Sequence, residues 1–69
     1  MFNILKKEDR VKVISQVHPW YSKPINGKVK NVINPREYLI ESEEIEIDGY
    51  PVIVTFTLLT DKMEYESTK

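Results

Sequence analysis

Nineteen of the 69 residues are valine, isoleucine or threonine, and none is alanine. Branching at Cβ stiffens χ1 and suits a pleated surface, while alanine is the best helix former. No window sustains a 3.6-residue apolar period with caps at its ends, whereas period-two alternation recurs along the chain. The pattern predicts an all-β protein with little or no helix. With about five short strands in one domain spanning residues 1–69, it points to a small antiparallel barrel, because closure removes exposed sheet edges.

The expected strands follow from alternation and turn chemistry. Val11 to Val17 places Val11, Val13 and Val17 on one face, with Lys12 and Gln16 toward water. A loop from His18 to Pro24 follows, its two prolines unable to donate to a ladder. Asn26-Gly27 reads as a turn. Lys28 to Ile33 is the next strand, with Val29 and either Val32 or Ile33 inward. Asn34-Pro35-Arg36-Glu37 is a turn with proline at its second position. Tyr38 to Ile47 is a long strand whose phase shifts midway. A bulge at Glu43-Glu44 would keep Tyr38, Ile40, Ile45 and Ile47 on the core face. Asp48-Gly49 is a type I′ hairpin signal. Tyr50 to Leu59 returns with Val52, Val54, Phe56 and Leu58 inward. Thr60-Asp61-Lys62 turns the chain into a last strand, Met63 to Tyr65, and Ser67 to Lys69 is expected to fray.

Asp9-Arg10-Val11-Lys12-Val13-Ile14, then a loop, then Gly27-Lys28-Val29-Lys30-Asn31-Val32, resembles the KOW-type first hairpin of certain ribosomal proteins and transcription elongation factors. Those hairpins belong to the SH3-like barrel family. The likeness spans residues 9–32. The family places glycine before the aspartate, where this chain has Glu8, and its loop is short and glycine-rich, where this one holds prolines and aromatics. The resemblance implies a five-stranded SH3-like barrel. As a rival function it implies nucleic-acid binding, with Lys12, Lys28, Lys30 and Arg36 on phosphates and Trp20 or Tyr21 stacking on bases.

Composition narrows the function classes. Seven Val, eight Ile, four Leu, two Met, two Phe, one Trp and four Tyr are enough for one small core and leave little to line a deep substrate cavity. Cysteine is absent, so neither a disulfide nor a thiolate site is available, and a reducing, cytoplasmic location is compatible with this. No run approaches the ~20 apolar residues of a membrane span. Met1 to Leu5 is too short for a signal peptide, and its lysines follow the apolar stretch instead of preceding it. No membrane partner is expected. The abundance of Ile, Lys, Asn, Glu and Tyr suits an AT-rich genome, such as that of a phage or a low-GC bacterium.

The charge is divided along the chain. Residues 1–36 hold eight basic residues against Glu8 and Asp9, a net of +6. Residues 37–69 hold nine acids against Lys62 and Lys69, a net of −7, so the whole is −1. Such asymmetry speaks to partners and association. Two poles surviving on the folded surface would favour partner binding or a homo-oligomer. Interleaved halves would cancel each other.

Two surfaces are candidates for recognition. The first is the aromatic and basic set His18, Trp20, Tyr21 and Lys23, with Lys12, Lys28 and Lys30 alongside. Trp and Tyr dominate binding hot spots, and aromatics among cations can stack on bases or grip a peptide. The plainer alternative is that Trp20 closes one end of the barrel and Tyr21 covers the rim. The second is the acidic strand. After the proposed bulge, Glu44, Glu46 and Asp48 share a face at intervals of about 6.6–6.8 Å. A carboxylate row of that kind could occupy a basic site on a target protein. Its plainer alternative is a solvated face paired with lysines across the sheet.

An enzyme is not expected. His18 is the only histidine and has no Ser-His-Asp set, cysteine or second histidine to complete a site. Glu43 and Glu44 are consecutive and would point to opposite faces of a strand. Gly27 and Gly49 make no phosphate-cradling loop. No cofactor or metal is implied. The leading reading is a non-catalytic module that binds a protein partner.

Overall fold

The computed structural model describes residues 4–67, and every regular element in it is a strand. In chain order these are β1 (Arg10–Val13), β2 (Ile25–Asn34), β3 (Glu37–Ser42), β4 (Ile45–Ile47), β5 (Tyr50–Val52), β6 (Thr55–Leu59) and β7 (Tyr65–Ser67). Five of them form an antiparallel sheet ordered β6-β3-β2-β1-β7, and β4 and β5 form a separate two-stranded ribbon. The all-β expectation holds. The expected five strands become seven because both long strands of the second half divide. Among the described residues no ladder joins β6 to β7, so these two strands are the edges of the sheet.

The division has a local cause. Ser42 N–H donates to the Val54 carbonyl at 2.8 Å, and Ser42 Oγ accepts from Val54 N–H at 2.8 Å. Beyond this point Ile45 opposes Val52. Glu43 and Glu44 therefore stand against Ile53 alone, which is the residue count of a β-bulge. Glu43 N–H turns toward β2, donating to the Asn26 carbonyl at 2.9 Å. The phase shift read at Glu43-Glu44 is real, but it carries β4 and β5 off the main sheet. Ile45 and Ile47 end half-buried, outside the core cluster.

One face of the sheet is the core. Val11 and Val13 of β1, Ile25 and Val29 of β2, Tyr38 and Ile40 of β3, and Leu58 of β6 are buried, together with Leu5 ahead of the sheet. All of these except Ile25 form one packed cluster, and Val17, Phe56, Met63 and Tyr65 pack against it. Thr55 and Thr57 are exposed and Val52 and Val54 half-buried. Two expectations fail. Strand β1 ends at Val13, although Val17 still reaches the core. Val32 and Ile33 are exposed, because the β2–β3 register slips between Val29 and Asn31 and again between Val32 and Asn34. At the far end Ser67 is paired with Val11, while Thr68 and Lys69 lie outside the described residues.

Asn26-Gly27 is not a turn. Both residues sit inside β2, and Gly27 is required there by space. A Cβ on it would lie 2.7 Å from the Glu41 carbonyl oxygen and 2.9 Å from Ile40 Cγ2. The hairpin at Asp48-Gly49 is as expected, with φ of +53° and +81°. The Asn34 to Glu37 turn also forms, and Asn34 Oδ1 accepts from Arg36 N–H at 2.8 Å. Glu8 takes φ +77° within the turn from Lys6 to Asp9. Asp9 Oδ2 accepts from Lys6 N–H at 2.8 Å, and Glu8 N–H donates to the Val29 carbonyl at 2.8 Å.

Tyr38 is the largest fully buried side chain. Its hydroxyl accepts from Leu5 N–H at 3.2 Å and donates to the Pro35 carbonyl at 2.7 Å. Tyr38→Phe keeps the ring and orphans the buried Leu5 N–H, which should cost about 1–3 kcal/mol in chemical denaturation. The two glycines should respond for different reasons. Gly27→Ala forces backbone apart and should cost about 1–3 kcal/mol or more. Gly49→Val meets open space but a forbidden backbone region, and should cost about 1–2 kcal/mol. Thermal denaturation of both variants checks this; a Gly27→Ala protein as stable as the parent would refute the close β2–β3 approach.

Candidate functional site

The loop between β1 and β2 begins and ends at buried residues. Val13 and Ile25, which flank it, oppose each other in the ladder. Its first residues are tied to the chain's end: Ile14 and Ser15 N–H donate to the Glu64 carbonyl at 2.9 and 3.3 Å, and Glu64 N–H returns to Ser15 Oγ at 2.8 Å. A tight turn follows. Tyr21 N–H donates to the His18 carbonyl at 3.1 Å, and Pro19 takes the second position, where its fixed φ is favourable. Trp20 falls at the third position.

Three contacts brace this turn. Gln16 Nε2 donates to the carbonyls of His18 and Pro19 at 2.9 and 3.2 Å. Trp20 N–H donates to His18 Nδ1 at 3.2 Å. The His18 and Trp20 rings stand 5.6 Å apart at 59°. Trp20 itself is 77% exposed. The indole therefore does not close a barrel end, and Tyr21 beside it is half-buried. His18 is engaged as the support of this turn. Among the described residues no group of three or more His, Cys, Asp or Glu is placed to hold a metal ion.

The lysines are only partly gathered here. Lys23 lies in the loop and is exposed. Lys12 is next to its base, on β1, opposite Asn26 on one side and Glu66 on the other. Lys28 and Lys30 run away from the loop along β2; Lys30 is five residues past Ile25, about 17 Å along an extended strand. Both are engaged with acids: Lys28 Nζ lies 3.4 Å from Glu8, and Lys30 Nζ lies 3.1 Å from Glu41. Of the expected basic set, only Lys23, within the loop, and Lys12, at its base, remain close to it along the chain.

The acidic row is also altered. Only Glu46 lies within β4, whereas Glu44 sits in the bulge and Asp48 in the hairpin turn at positive φ. All three are exposed, but they do not form the evenly spaced row of one extended strand. No helix among the described residues is long and apolar enough to cross a membrane.

Comparison with protein-family models, curated proteins and solved structures finds no match to this chain. The geometry of the loop therefore stands on its own. Sequence reasoning missed Gln16 and Ser15, whose side chains hold the loop. Gln16 bonds backbone only two and three residues on, whereas the Ser15 bond reaches Glu64 and has no local signal.

Trp20 is the chain's only tryptophan, so intrinsic fluorescence reports this site alone. Emission of the folded protein should match that of free indole in water, and acrylamide should quench it about as fast as in the unfolded chain. Blue-shifted, protected emission would place the ring in the interior and refute the exposed turn.

Proposed function

We propose that this protein is a non-catalytic binding module that recognises a protein partner through the His18–Tyr21 turn. Trp20 is the anchor, with Tyr21, Lys23 and Lys12 around it. The observation that carries this reading is the exposure of the sole tryptophan at the tip of a turn braced by Gln16, His18 and Pro19. Hot spots favour Trp and Tyr, and a turn rigid before binding loses little conformational entropy on docking. We read the sheet as SH3-like in its strand pattern but open between β6 and β7. The lack of cysteine fits a cytoplasmic setting.

A second reading, a KOW-like nucleic-acid binder, is favoured by one observation. Glu8 adopts a left-handed conformation where that family places glycine, ahead of a paired β1–β2 hairpin. The ion pairs of Lys28 and Lys30 weigh against it, since they occupy two of the four cations it would need.

The test is affinity capture from source lysate with the wild-type protein and with Trp20→Ala, alongside titration with single-stranded oligonucleotide at low salt. Loss of an exposed hot-spot tryptophan should weaken a specific partner by about 2 kcal/mol or more, roughly thirty-fold, with thermal stability unchanged. Equal capture by both proteins would overturn the first reading. Oligonucleotide affinity falling steeply with salt would install the second.

A further inference from the structure

The free edge of β6 differs from every other strand edge among the described residues. Edge strands are ordinarily blunted by charge, proline or shortness. The edge of β4 carries Glu46, β5 carries Pro51, and β7 is three residues long with Glu66 at its centre. Strand β6 reads Thr-Phe-Thr-Leu-Leu, with no charge and no proline.

The hydrogen bonds fix which backbone groups of β6 point outward. Val54 exchanges bonds with Ser42, and Thr60 N–H donates to the Arg36 carbonyl at 3.0 Å. Between these the register runs without a slip, so Phe56 and Leu58 bond to β3 while Thr55, Thr57 and Leu59 face away. Leu59 is already capped: its N–H donates to Met63 Sδ at 3.3 Å and its carbonyl accepts from Met63 N–H at 3.0 Å. At the other end of the same edge Pro51 has no N–H to offer. The ribbon register sets Val52 against Ile45, which leaves Ile53 facing outward as well. The open window is therefore Ile53, Thr55 and Thr57, centred on Thr55.

We propose that this edge pairs with the same edge of a second copy, antiparallel about a two-fold axis at Thr55, joining two sheets into one. Such an isologous contact needs a self-complementary strand, and this one is. Thr55 meets Thr55 of the second copy, and Thr57 meets Ile53, which is 60% exposed in the single chain. On the core face, Phe56 of one copy stands opposite Val54 of the other, and both are only half-buried alone. At each end the turn holding Lys62 lies toward the side of the second copy from which its β4–β5 ribbon departs. Lys62 is the only cation between Arg36 and Lys69. It would thus approach the acidic end of the second copy, which carries Glu44, Glu46 and Asp48. A chain of this length buries a modest share of its surface, so continuing the core across the edge adds burial that it lacks alone. This surface is separate from the Trp20 turn.

The experiment is sedimentation equilibrium over a broad concentration range, with amide hydrogen exchange on the same samples. The wild type should approach twice its 8.2 kDa mass as concentration rises. Protection of the Thr55 and Thr57 amides should rise with it. Thr55→Lys places like charges across the axis, but in the single chain lies beside Glu41, so the monomer should fold normally and dimerise at least tenfold more weakly. Thr55→Pro removes one outward donor and should act likewise. Lys62→Glu should weaken the dimer several-fold at low salt only. Trp20→Ala should leave association unchanged. A wild type that stays monomeric at about 1 mM, a dimer indifferent to Thr55→Lys, or one protecting β7 or β4 instead of β6 would each overturn the proposal.

Discussion

The Tyr38 hydroxyl is the contact on which the architecture turns. Tyr38 is the one aromatic among the fully buried side chains, and its hydroxyl left without partners would cost about 1–3 kcal/mol, enough to offset much of what burying the ring contributes. Both its bonds go to backbone: to Leu5, ahead of the first strand, and to Pro35, in the β2–β3 turn. One side chain therefore holds the leading segment against the sheet and also fixes the turn that aligns β2 with β3. Strand β2 is the sheet's long central element, and Gly27 lets β3 lie close against it. The loop carrying Trp20 springs from the other side of β2, through Val13 and Ile25, so its placement depends on the same alignment.

Strand order decides the fate of the charge division. The basic strands β1 and β2 are neighbours, and each is flanked by a strand from the acidic half, β7 and β3. Glu41 of β3 meets Lys30, and Glu66 of β7 stands in register with Lys12. The two halves interleave in the main sheet, and their opposite charges largely offset there. Exposed pairs of this type add about 0–1 kcal/mol each, so their main consequence is for the surface field and not for stability. What remains unbalanced is local: the acids of the β4–β5 ribbon and the cations near the loop.

Alternation made the inward face legible. Val11, Val13, Val29, Tyr38, Ile40 and Leu58 are buried because a pleated strand has only two sides and the polar residues between them mark the wet one. Asp48-Gly49 and the Asn34 to Glu37 turn were legible because their backbone conformations favour few residue types. Asn26-Gly27 was misread for an instructive reason. Glycine serves both positive φ and close backbone approach, and nothing local distinguishes the two; the reason for Gly27 lies on β3, fourteen residues away at Glu41. Val32 and Ile33 were misread because bulges in β2 depend on cross-strand register. The sequence left Trp20 open between a recognition surface and a barrel end, because its exposure depends on Gln16 and His18 bonding a turn.

That exposure runs against the interest of the fold. Burying a large aromatic side chain contributes about 1.5–3 kcal/mol, a large part of the net stability of a small domain. Here the largest apolar side chain available is kept out of a core with few large members. The surroundings then hold it in place: Pro19 restricts the turn, Gln16 bonds two of its carbonyls, and His18 takes the Trp20 N–H. A tryptophan left outside merely for want of room would not need bracing from three residues. Preorganisation of this kind lowers the entropy lost when the indole is covered. On the reading proposed above, stability given up in the core would return as binding energy at the turn, a trade suited to a scaffold too small to carve a pocket.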